Sequence, residues 1–548
     1  MNIIDKVYET VAPVHAVKRM AARKTLQVLN TGYSDGGASF SKNSLKGFTA
    51  RSSSPLYDID ANLNTLVSRS RSLYMTSPIA TSAIKTLRTN VIGSGLKLKS
   101  RIDYEVLGLS EEESEKIEEQ IEREFALWAD TPMCDALGVN NFYEMQTLFF
   151  MGQILNGDAF CIRKYEQPTQ FMPYGLRLQL VEADRISTPN TTGVTIGNNA
   201  YISYGVNQQN KNEIFNGVEV NKAGKVVAYH ICNQYPNAQQ IGMYTVPEWT
   251  RVETYGSQTG LPNILHMFEP ERAEQRRGVP LLAPVIESLK QITRYTDAEL
   301  MAAVISGMYT IFIKTETPTE MPFGEAMPED LEPIDKGDDD YQLGNGAINM
   351  LGTNESIQIA DPKRPIAGFD NFVNALAKQI GSALEIPKEL LLKEFNSSYS
   401  ASKGALLEAW KSFRMRRENT SNSFCQPIYE IFMTEAVASG RIKAPHFFDD
   451  PIIRKAWCGA NWNGPAPGML DPTKEVQAAK MRIDEGLSTR EEETMGLTGG
   501  NFSKNAKQLK KENKLLSDAK EIFNPQKQQT SSIPQQQKIK KQEKEGDK

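Results

Sequence analysis

The sequence predicts an α+β fold in which helical segments lie on both sides of a central strand-rich region. The segment that follows Ser110 places Ile117, Ile121 and Phe125 on one face, which is helical periodicity. Residues 159–270 instead alternate between apolar and polar side chains, with turn-forming pairs between the runs. A length of 548 residues, of which 40% are hydrophobic, is enough for about three or four domain-sized units.

The N-terminal half is expected to begin with an arm and then become helical. Residues 1–50 form a basic amphipathic stretch followed by a Gly- and Ser-rich segment, which indicates a mobile basic arm; a plain disordered tail is the alternative. Leu66–Ile92 has a helical pattern that ends at glycines. His230 and His266 lie within strand-like runs, so we expect buried histidines with hydrogen-bond partners, and not metal ligands.

Two helices are predicted to enclose an acidic segment. The first should span about Leu281–Met308, roughly 40 Å, and bury a stripe that includes Leu282 and Leu289. Its apolar end has only fourteen residues between charges, too few to cross a membrane. Residues 309–366 should begin as a strand, and residues 316–340 carry ten acids and one lysine. A solvated acidic loop is the simplest alternative, and the spacing of a calcium loop is absent.

The second helix, a polar loop and a long helix follow. Asp370–Leu384 has an apolar residue at every fourth position, and the proline after it ends the helix. The loop Ile386–Tyr399 has no net charge and is rich in residues that favour turns. The long helix should begin near Ser400, bend at Pro427 and stop at Gly440.

The C-terminal part should contain short helices and then lose structure. Asp471 followed by Pro472 is a helix start, and a second one comes at Thr489. Residues 502–548 are rich in lysine and glutamine, which predicts a disordered tail. Residues 1–50 carry a net charge of +4 and residues 502–548 carry +6, which leaves −15 for the body of the chain. An acidic body lacks the basic patch of proteins that grip DNA, although DNA can slide past an acidic surface.

The sequence patterns of common catalytic and metal sites are missing from the chain. The five cysteines contain no C-x-x-C pair, which argues against a zinc site or a disulfide framework and for a reducing compartment. There is no phosphate-binding loop, no H-E-x-x-H and no G-x-S-x-G. We therefore expect a protein that is not an enzyme and that needs no cofactor. The first apolar cluster, Val11–Val17, is too short for a signal peptide.

Five segments, in the same order, resemble the portal proteins of tailed bacteriophages, in the lambda-like group. The resemblance covers roughly residues 51–501 and leaves both tails outside. The segments are NFYEMQTLFFMGQILNGDAF (141–160), LVEADRIS (180–187), RRGVPLLAPVIESL (276–289), FDNFVNALAKQIGSALEIPKELL with NSSYSASKGALLEAW (369–391 and 396–410), and NWNGPAPGMLDPTKEVQAA (461–479).

The resemblance implies the portal fold, with subunits arranged in a ring that is expected to be twelvefold. By position, the parts would be a wing (51–280), a first stem helix (281–308), an acidic clip (309–366), a second stem helix (367–385), a channel or tunnel loop (386–399), and a long wing helix with crown-side helices (400–501).

The function that the resemblance implies is a DNA channel at one capsid vertex, used for genome packaging and ejection. The implied partners are further copies of the chain, double-stranded DNA without sequence preference, the terminase large subunit, a head–tail adaptor, and the major capsid or scaffold protein, with no membrane. The implied location is the virion, after assembly in the host cytoplasm. One alternative is a ring-forming head–tail adaptor or collar that does not touch DNA, although such proteins should be shorter. Another is a nucleic-acid processing enzyme, which the missing motifs disfavour.

Two groups of residues are candidates for contacts. The loop residues expected to brush DNA, with an ordinary surface loop as the alternative, are Lys388, Lys393, Asn396, Ser397, Ser398 and Tyr399. Leu390–Leu392 are expected to pack against a neighbouring subunit. The clip residues expected to dock partners are Glu329, Asp330, Asp338, Asp339 and Asp340.

Overall fold

The computed structural model describes most of the chain in separate ranges. They are residues 12–29, 37–39, 42–48, 52–189, 194–196, 200–236, 246–307, 311–315, 355–359, 368–396, 398–469 and 471–523. The chain divides into two units, residues 1–54 and 55–548. In the first unit, α1 (Pro13–Leu29) is followed by a 3-10 turn, Asn43–Leu45. The segment predicted as a mobile arm therefore contains a helix in its amphipathic part.

The second unit begins with helices. They are α2 (Leu63–Thr76), α3 (Pro78–Val91), α4 (Tyr104–Leu107), α5 (Glu111–Ala129) and α6 (Phe142–Asn156). The prediction that Leu66–Ile92 is helical is confirmed, and the segment is divided into α2 and α3 because Ser77 is extended ahead of Pro78, the first residue of α3. Capping boxes open α5 at Ser110 and α6 at Asn141, so these starts are set by local sequence.

The strand-rich region is antiparallel throughout its named pairings. Its strands are β2 (Asp158–Tyr165), β3 (Leu176–Val181), β4 (Val194–Ile196), β5 (Ala200–Ile202), β6 (Tyr204–Val206), β7 (Glu213–Phe215), β8 (Val218–Val220), β9 (Val226–Cys232), β10 (Trp249–Glu253) and β11 (Ile264–Phe268). They form a three-stranded sheet of order β11-β2-β3, a five-stranded sheet of order β10-β9-β8-β7-β6, and the pair β4-β5.

A further ladder joins distant parts of the chain. Strand β1 (Lys97–Ser100) pairs antiparallel with β14 (Ala460–Asn463). Four residues in each strand give too short a pattern to recognise in the sequence, and the partners are more than 350 residues apart. This pairing connects the helical start of the second unit to its C-terminal part.

The next part of the unit contains the predicted stem and long helices. Its elements are α7 (Ile286–Gly307), β12 (Ile311–Thr315), β13 (Glu355–Ile359), α8 (Phe369–Ala383), α9 (Lys388–Leu391), α10 (Tyr399–Thr420) and α11 (Gln426–Ala438). The predicted stripe on the first helix is confirmed, since Leu282 and Leu289 are buried. The α-helix begins at Ile286, however, because residues 283–285 form a 3-10 turn around a proline, and its 22 residues span about 33 Å.

The long helix is interrupted where the sequence predicted a bend. A π-helical turn, Ser421–Cys425, separates α10 from α11 and ends two residues before Pro427. Proline lacks the N–H that a regular helix would use, so the ladder of hydrogen bonds is disturbed there. Gly440 has φ +72 after the end of α11, as expected for a helix stop.

The C-terminal helices are α12 (Pro451–Trp457), α13 (Pro472–Asp484), α14 (Arg490–Thr498) and α15 (Phe502–Phe523). The prediction of a disordered tail from residue 502 is wrong for residues 502–523. This segment is rich in lysine, leucine and alanine, which favour helices, and Lys507 pairs with Glu115 on α5. Residues 524–548 lie outside the described residues.

An aromatic core ties α5, α6 and α11 together. The ring of Phe125 lies 5.6 Å from that of Phe142, 5.8 Å from that of Tyr429 and 5.2 Å from that of Phe432, all edge-to-face. Ile386 and Leu391, between α8 and α10, belong to the same buried cluster as these rings. Within the parts of the chain that the structure describes, every helix is too short or too polar to span a membrane.

Candidate functional site

The predicted channel loop begins as an anchored segment and not as a free loop. Ile386 and Leu391 are each only 1% exposed, and both belong to the main core of their own chain. Ser82 on α3 donates its hydroxyl to the carbonyl of Leu391 at 2.7 Å. The prediction that Leu390–Leu392 pack against a neighbouring subunit is wrong for Leu391, which is buried in its own chain. Leu390 and Leu392 pack partly on the same core, and their contact with a neighbouring subunit stays a prediction.

The exit from α8 is held against α10. The amide of Ile386 donates to the carbonyl of Gly381 at 2.8 Å. Glu385 adopts a left-handed conformation, with φ +57, and its carboxylate accepts the hydroxyl of Ser412 at 2.7 Å. Arg416 reaches the same carboxylate at 3.3 Å and also pairs with Glu269 at 2.9 Å. The direction in which the chain enters the loop is therefore set by the contacts of Glu385 with Ser412 and with the buried guanidinium of Arg416.

The sequence-predicted loop residues have different surroundings. Lys388 is half-buried at the start of α9. Lys393 donates to the hydroxyl of Thr86 at 3.1 Å, so its ammonium group is engaged within the chain. Ser398 is the N-cap of α10, and its hydroxyl accepts the amide of Ala401 at 3.4 Å.

The remaining loop residues lie near the tip. Asn396 is exposed and donates to the side chain of Glu394, and Ser397 lies outside the described residues. The ring centroid of Tyr399 lies 5.9 Å from the ammonium of Lys403 and 5.8 Å from that of Lys474, both cation–π contacts. The tip is thus a short exposed segment held at both of its ends.

Sequence reasoning gave no role to Phe395, which is 50% exposed at the tip. The signal that could have found it is an aromatic residue placed among turn-forming polar ones. An aromatic ring can stack or slide on a nucleic-acid surface without a fixed charge. Phe395 therefore joins Glu394 and Asn396 as the part of the loop that is open to a partner.

Of the predicted clip, residues 309–366, the structure describes two short strands, one near each end. Strand β12 pairs with β13 from Ile311 opposite Ile359 to Thr315 opposite Glu355. This antiparallel ladder brings the two ends of the intervening acidic segment together. The candidate docking residues Glu329, Asp330, Asp338, Asp339 and Asp340 lie outside the described residues.

A buried charged group, here called the Asp158 cluster, fixes the approach to α7. The carboxylate of Asp158 accepts the guanidinium of Arg277 at 2.8 Å, the ring of His266 at 2.8 Å and the amide of Gly278 at 2.6 Å. Burial alone would raise the pKa of Asp158, but Arg277 and His266 together bring it below its usual range. Burial lowers the pKa of His266. The prediction for His266 is confirmed.

His230 has the same structural role in the five-stranded sheet. Its ring lies 2.9 Å from the carboxylate of Glu219, which also accepts the guanidinium of Arg251 at 2.8 Å. Amide groups from a neighbouring turn, at Asn210 and Asn212, complete the shell of Glu219. The prediction that His230 is buried with a partner is thus confirmed.

Asp60 provides a pH-dependence that can be measured. It is 4% exposed; burial raises its pKa to about 6, although Arg277 partly opposes the rise. The folded state holds this proton more tightly than the unfolded state, so the contribution of Asp60 to stability falls as pH rises from about 4 to about 6. Above pH 7 this loss in the free energy of unfolding reaches about 3 kcal/mol. We expect Asp60→Asn to avoid it, because asparagine does not ionise.

The measurement is the denaturant midpoint of wild type and Asp60→Asn at pH 4 and pH 8. The variant should be the more stable protein at pH 8, and the difference should shrink at pH 4. Asp58→Asn is the matched control, because Asp58 lies in the same π-helical turn, Leu56–Asp60, but is exposed and pairs with Arg272 at the surface. A gap between wild type and Asp60→Asn that is the same at both pH values would contradict the assignment.

The described residues offer little for bond chemistry. They contain no group of three or more His, Cys, Asp or Glu residues placed to hold a metal ion. All five cysteines are free and buried, and burial raises the pKa of Cys134 and of Cys458 to about 12. Thiols of this kind are poor nucleophiles at neutral pH.

The sequence is similar to proteins of known families. The profile of the family described as "Phage portal protein, lambda family" matches residues 41–417. The portal protein of Escherichia phage N15 is 24% identical over 483 residues, covering 84% of this chain and 86% of that protein, and portal protein B of Escherichia phage lambda gives the same values. A chain of the solved "Virion of native gene transfer agent (GTA) particle" is 12% identical, with a TM-score of 0.42 over 79% of this chain and 93% of that one. Since the family profile covers more than half of the sequence, the chain belongs to the lambda family of phage portal proteins.

Proposed function

We propose that copies of this chain form a ring at one vertex of a capsid and that DNA enters and leaves through its central channel. As a member of its family the chain is a portal protein of a tailed phage, which is a structural component of the virion. The observation that carries the proposal is the family match over residues 41–417, which includes both predicted stem helices and the loop after the second. The parts named wing, stem, clip, channel loop and crown-side helices are proposed at the positions given above.

The ring is proposed to have twelve copies and to dock further proteins. The proposed partners are the terminase large subunit, a head–tail adaptor, and the major capsid or scaffold protein. Head-to-tail contacts between identical subunits close into a ring when the rotation between them divides a full turn. Assembly in the host cytoplasm, followed by residence at the portal vertex of the virion, completes the proposal.

An exposed apolar stripe on α7 supports contact between subunits. Leu300 is 64% exposed, Met301 60% and Val304 44%, all on the half of the helix that precedes β12. Apolar side chains grouped in this way are commonly covered by a partner. In the proposed ring the cover is the neighbouring subunit.

Negative-stain images of the purified protein test the ring and the stripe together. Wild type should form rings with a central hole. Leu300→Glu/Val304→Glu should reduce the ring fraction by about tenfold or more, since loss of each buried leucine or valine side chain costs about 1.5–3 kcal/mol. Met75→Glu is the control, because Met75 is 75% exposed on α2. Wild-type protein without rings would overturn the proposal, and full ring formation by the double variant would exclude the stripe as a contact.

The acidic clip is proposed to bind basic surfaces of docking partners. Like charges repeated around a ring repel one another, so a basic partner or cations relieve them. Replacing Asp338, Asp339 and Asp340 with asparagine should weaken binding of the terminase or adaptor by about tenfold at low salt, and rings should remain. Co-sedimentation of rings with each partner measures this effect; unchanged binding at low salt would contradict a docking role.

The second candidate, an adaptor ring that does not contact DNA, makes a different prediction. Changes at the tip of the channel loop would then leave DNA packaging unaffected. The exposed position of Phe395 and Asn396 favours the proposed DNA channel over the adaptor ring. An anchored segment with an open tip is suited to touching DNA that moves past it.

A further inference from the structure

Helix α15 is held against its own chain at its start and then stands clear of it. The ammonium of Lys504 lies 3.6 Å from the carboxylate of Glu122 on α5. The ammonium of Lys507 lies 3.3 Å from the carboxylate of Glu115 on the same helix. From residue 508 to residue 517 every residue is exposed, a stretch of about 15 Å at 1.5 Å per residue. This part of α15 therefore presents its side chains to solvent.

Four lysines form a row along one side of α15, here called the lysine row. Its members are Lys504, Lys507, Lys511 and Lys514, which follow one another at intervals of three, four and three residues. Side chains at these intervals are neighbours on one side of a helix, and the row is about 15 Å long. The side chains of Lys504 and Lys507 remain 76% and 56% exposed although they are paired, and Lys511 and Lys514 are exposed as well. The whole row is therefore open to a partner.

The lysine row carries charge of one sign. Between residues 504 and 514 the one acidic residue is Glu512, which lies on another side of the helix and accepts the side-chain amide of Gln508 at 2.8 Å. The next acidic residue on the side of the row is Asp518, one turn beyond it. Residues 502–548 carry a net charge of +6 in a chain whose body carries −15. An anionic partner is thus attracted to this end of the chain and repelled by the body.

We propose that the lysine row is a DNA contact of the ring outside the channel loop, and that it binds phosphates without sequence preference. The inference rests on the proposed function, which brings a duplex past every subunit. A duplex carries one phosphate charge per about 1.7 Å of its axis, so a row about 15 Å long meets phosphates in any register. An acidic protein would instead need carboxylates spaced to match the four lysines.

The choice of lysine suits DNA that has to move. Lysine binds phosphate as a point charge on a flexible stem, whereas arginine makes two parallel hydrogen bonds with a fixed geometry. Residues 502–548 contain twelve lysines and no arginine. The row therefore attracts a duplex without fixing its position.

The glutamates of α5 compete with phosphate for the start of the row. Lys507 pairs with both Glu115 and Glu119. Ion pairs between exposed side chains contribute little to stability, so phosphate can replace these carboxylates at a small cost. The competition weakens the contact further, which again favours DNA that moves along the row over DNA that is held.

Binding of two short duplexes of unrelated sequence to purified rings tests the lysine row. Lys511→Ala/Lys514→Ala is the informative variant, because both lysines lie beyond the ion pairs with α5 and their loss leaves the helix attached. It should bind both duplexes about tenfold more weakly at low salt. The slope of log affinity against log salt concentration should fall in magnitude by about 2 for each copy that contacts DNA. Lys222→Ala/Lys225→Ala is the control, since it removes the same charge from exposed lysines between β8 and β9.

A change in the glutamates of α5 should have the opposite effect. Glu115→Gln/Glu119→Gln releases Lys507 and removes negative charge beside the row, so the affinity for both duplexes should rise by about twofold or more. Glu271→Gln/Glu274→Gln is the control, because both of its glutamates are exposed and lie outside α5. An affinity no higher than that of the control would overturn the competition between carboxylate and phosphate.

Negative-stain images of the same samples separate this inference from the proposed function. Intact rings of Lys511→Ala/Lys514→Ala that bind DNA with the affinity and salt slope of wild type would overturn the DNA contact and leave the ring standing. The same result together with lost binding of a capsid or scaffold protein would also overturn it, and would assign the row to an acidic protein. Wild-type protein that forms no ring would overturn the proposed function and this inference with it.

Discussion

Replacing Gly278 with alanine should prevent the chain from accumulating as folded protein. A Cβ at this position would collide with the backbone carbonyl of Gly157 and would lie 2.9 Å from the Cβ of Phe268. Gly157 itself has φ +85 and ends α6, and its own Cβ would lie 2.5 Å from the carbonyl carbon of Gly278. Two backbones meet here with no room for a side chain, so neither can move aside without disturbing the other.

The same substitution would also disturb the Asp158 cluster. The amide of Gly278 donates to Asp158, and any shift of residue 278 lengthens that bond and moves Arg277. Removing one partner from a buried charged group costs about 3–5 kcal/mol, which is a large part of the stability of most domains. The backbone collision adds to this cost, so the total loss of stability exceeds that caused by a typical substitution.

Soluble yield and thermal unfolding measure the effect. Gly404→Ala is the control, because Gly404 lies in α10 with no atom near the position of its Cβ. That change should be neutral or should stabilise by about 0.5–1 kcal/mol, since alanine favours helices. Gly278→Ala protein with a normal yield and melting temperature would show that the close approach of Gly157 and Gly278 is not needed for folding.

Features fixed by neighbouring residues could be predicted from the sequence. The start of α5 at Ser110 depends on a glutamate three residues later, and the stop at Gly440 depends on one left-handed residue. The Asp158 cluster could not be predicted, because Arg277 is 119 residues from Asp158 and no local pattern shows that the two side chains pair. Helix α15 was missed for another reason: composition rich in lysine and glutamine was taken as disorder, although lysine also favours helices.

The channel loop combines features that neighbouring residues determine with features that depend on distant parts of the chain. Its position follows from the proline after α8 and from the run of residues that favour turns, all of which are local signals. Its anchoring depends on Ser82 and Thr86 of α3, more than 300 residues earlier in the chain. The hydrogen bond from Lys393 to Thr86 could not be predicted, because no local sequence pattern connects residues this far apart.

Deleting Asn396–Ser398 should lower DNA packaging or retention in the head by about tenfold or more while rings and proheads still form. In the proposed channel the tip between Glu394 and Tyr399 touches the duplex weakly, since strong binding would stall DNA that must move. Contacts of this kind are independent of sequence and sensitive to salt. Ring assembly should survive, because the core residues Ile386 and Leu391 lie outside the deletion.

A pair of lysine variants tests the charged part of the same loop. Lys388→Ala/Lys393→Ala should also lower packaging or retention, and Lys393→Ala alone should cost some stability because the bond to Thr86 is lost. Lys222→Ala/Lys225→Ala is the control, since both of its lysines are exposed in the turn between β8 and β9.

Packaged DNA per head, measured beside ring and prohead yield, separates the two roles of the loop. A fall in packaging at constant prohead yield supports DNA contact, whereas a fall in both means that the loop is needed for assembly. Normal packaging and retention in the deletion and in the lysine pair would mean that the loop does not meet DNA. The exposed side chain of Phe395 would then need another partner, and the channel contact would have to lie on a different part of the ring, such as the helix α7 that carries Leu300.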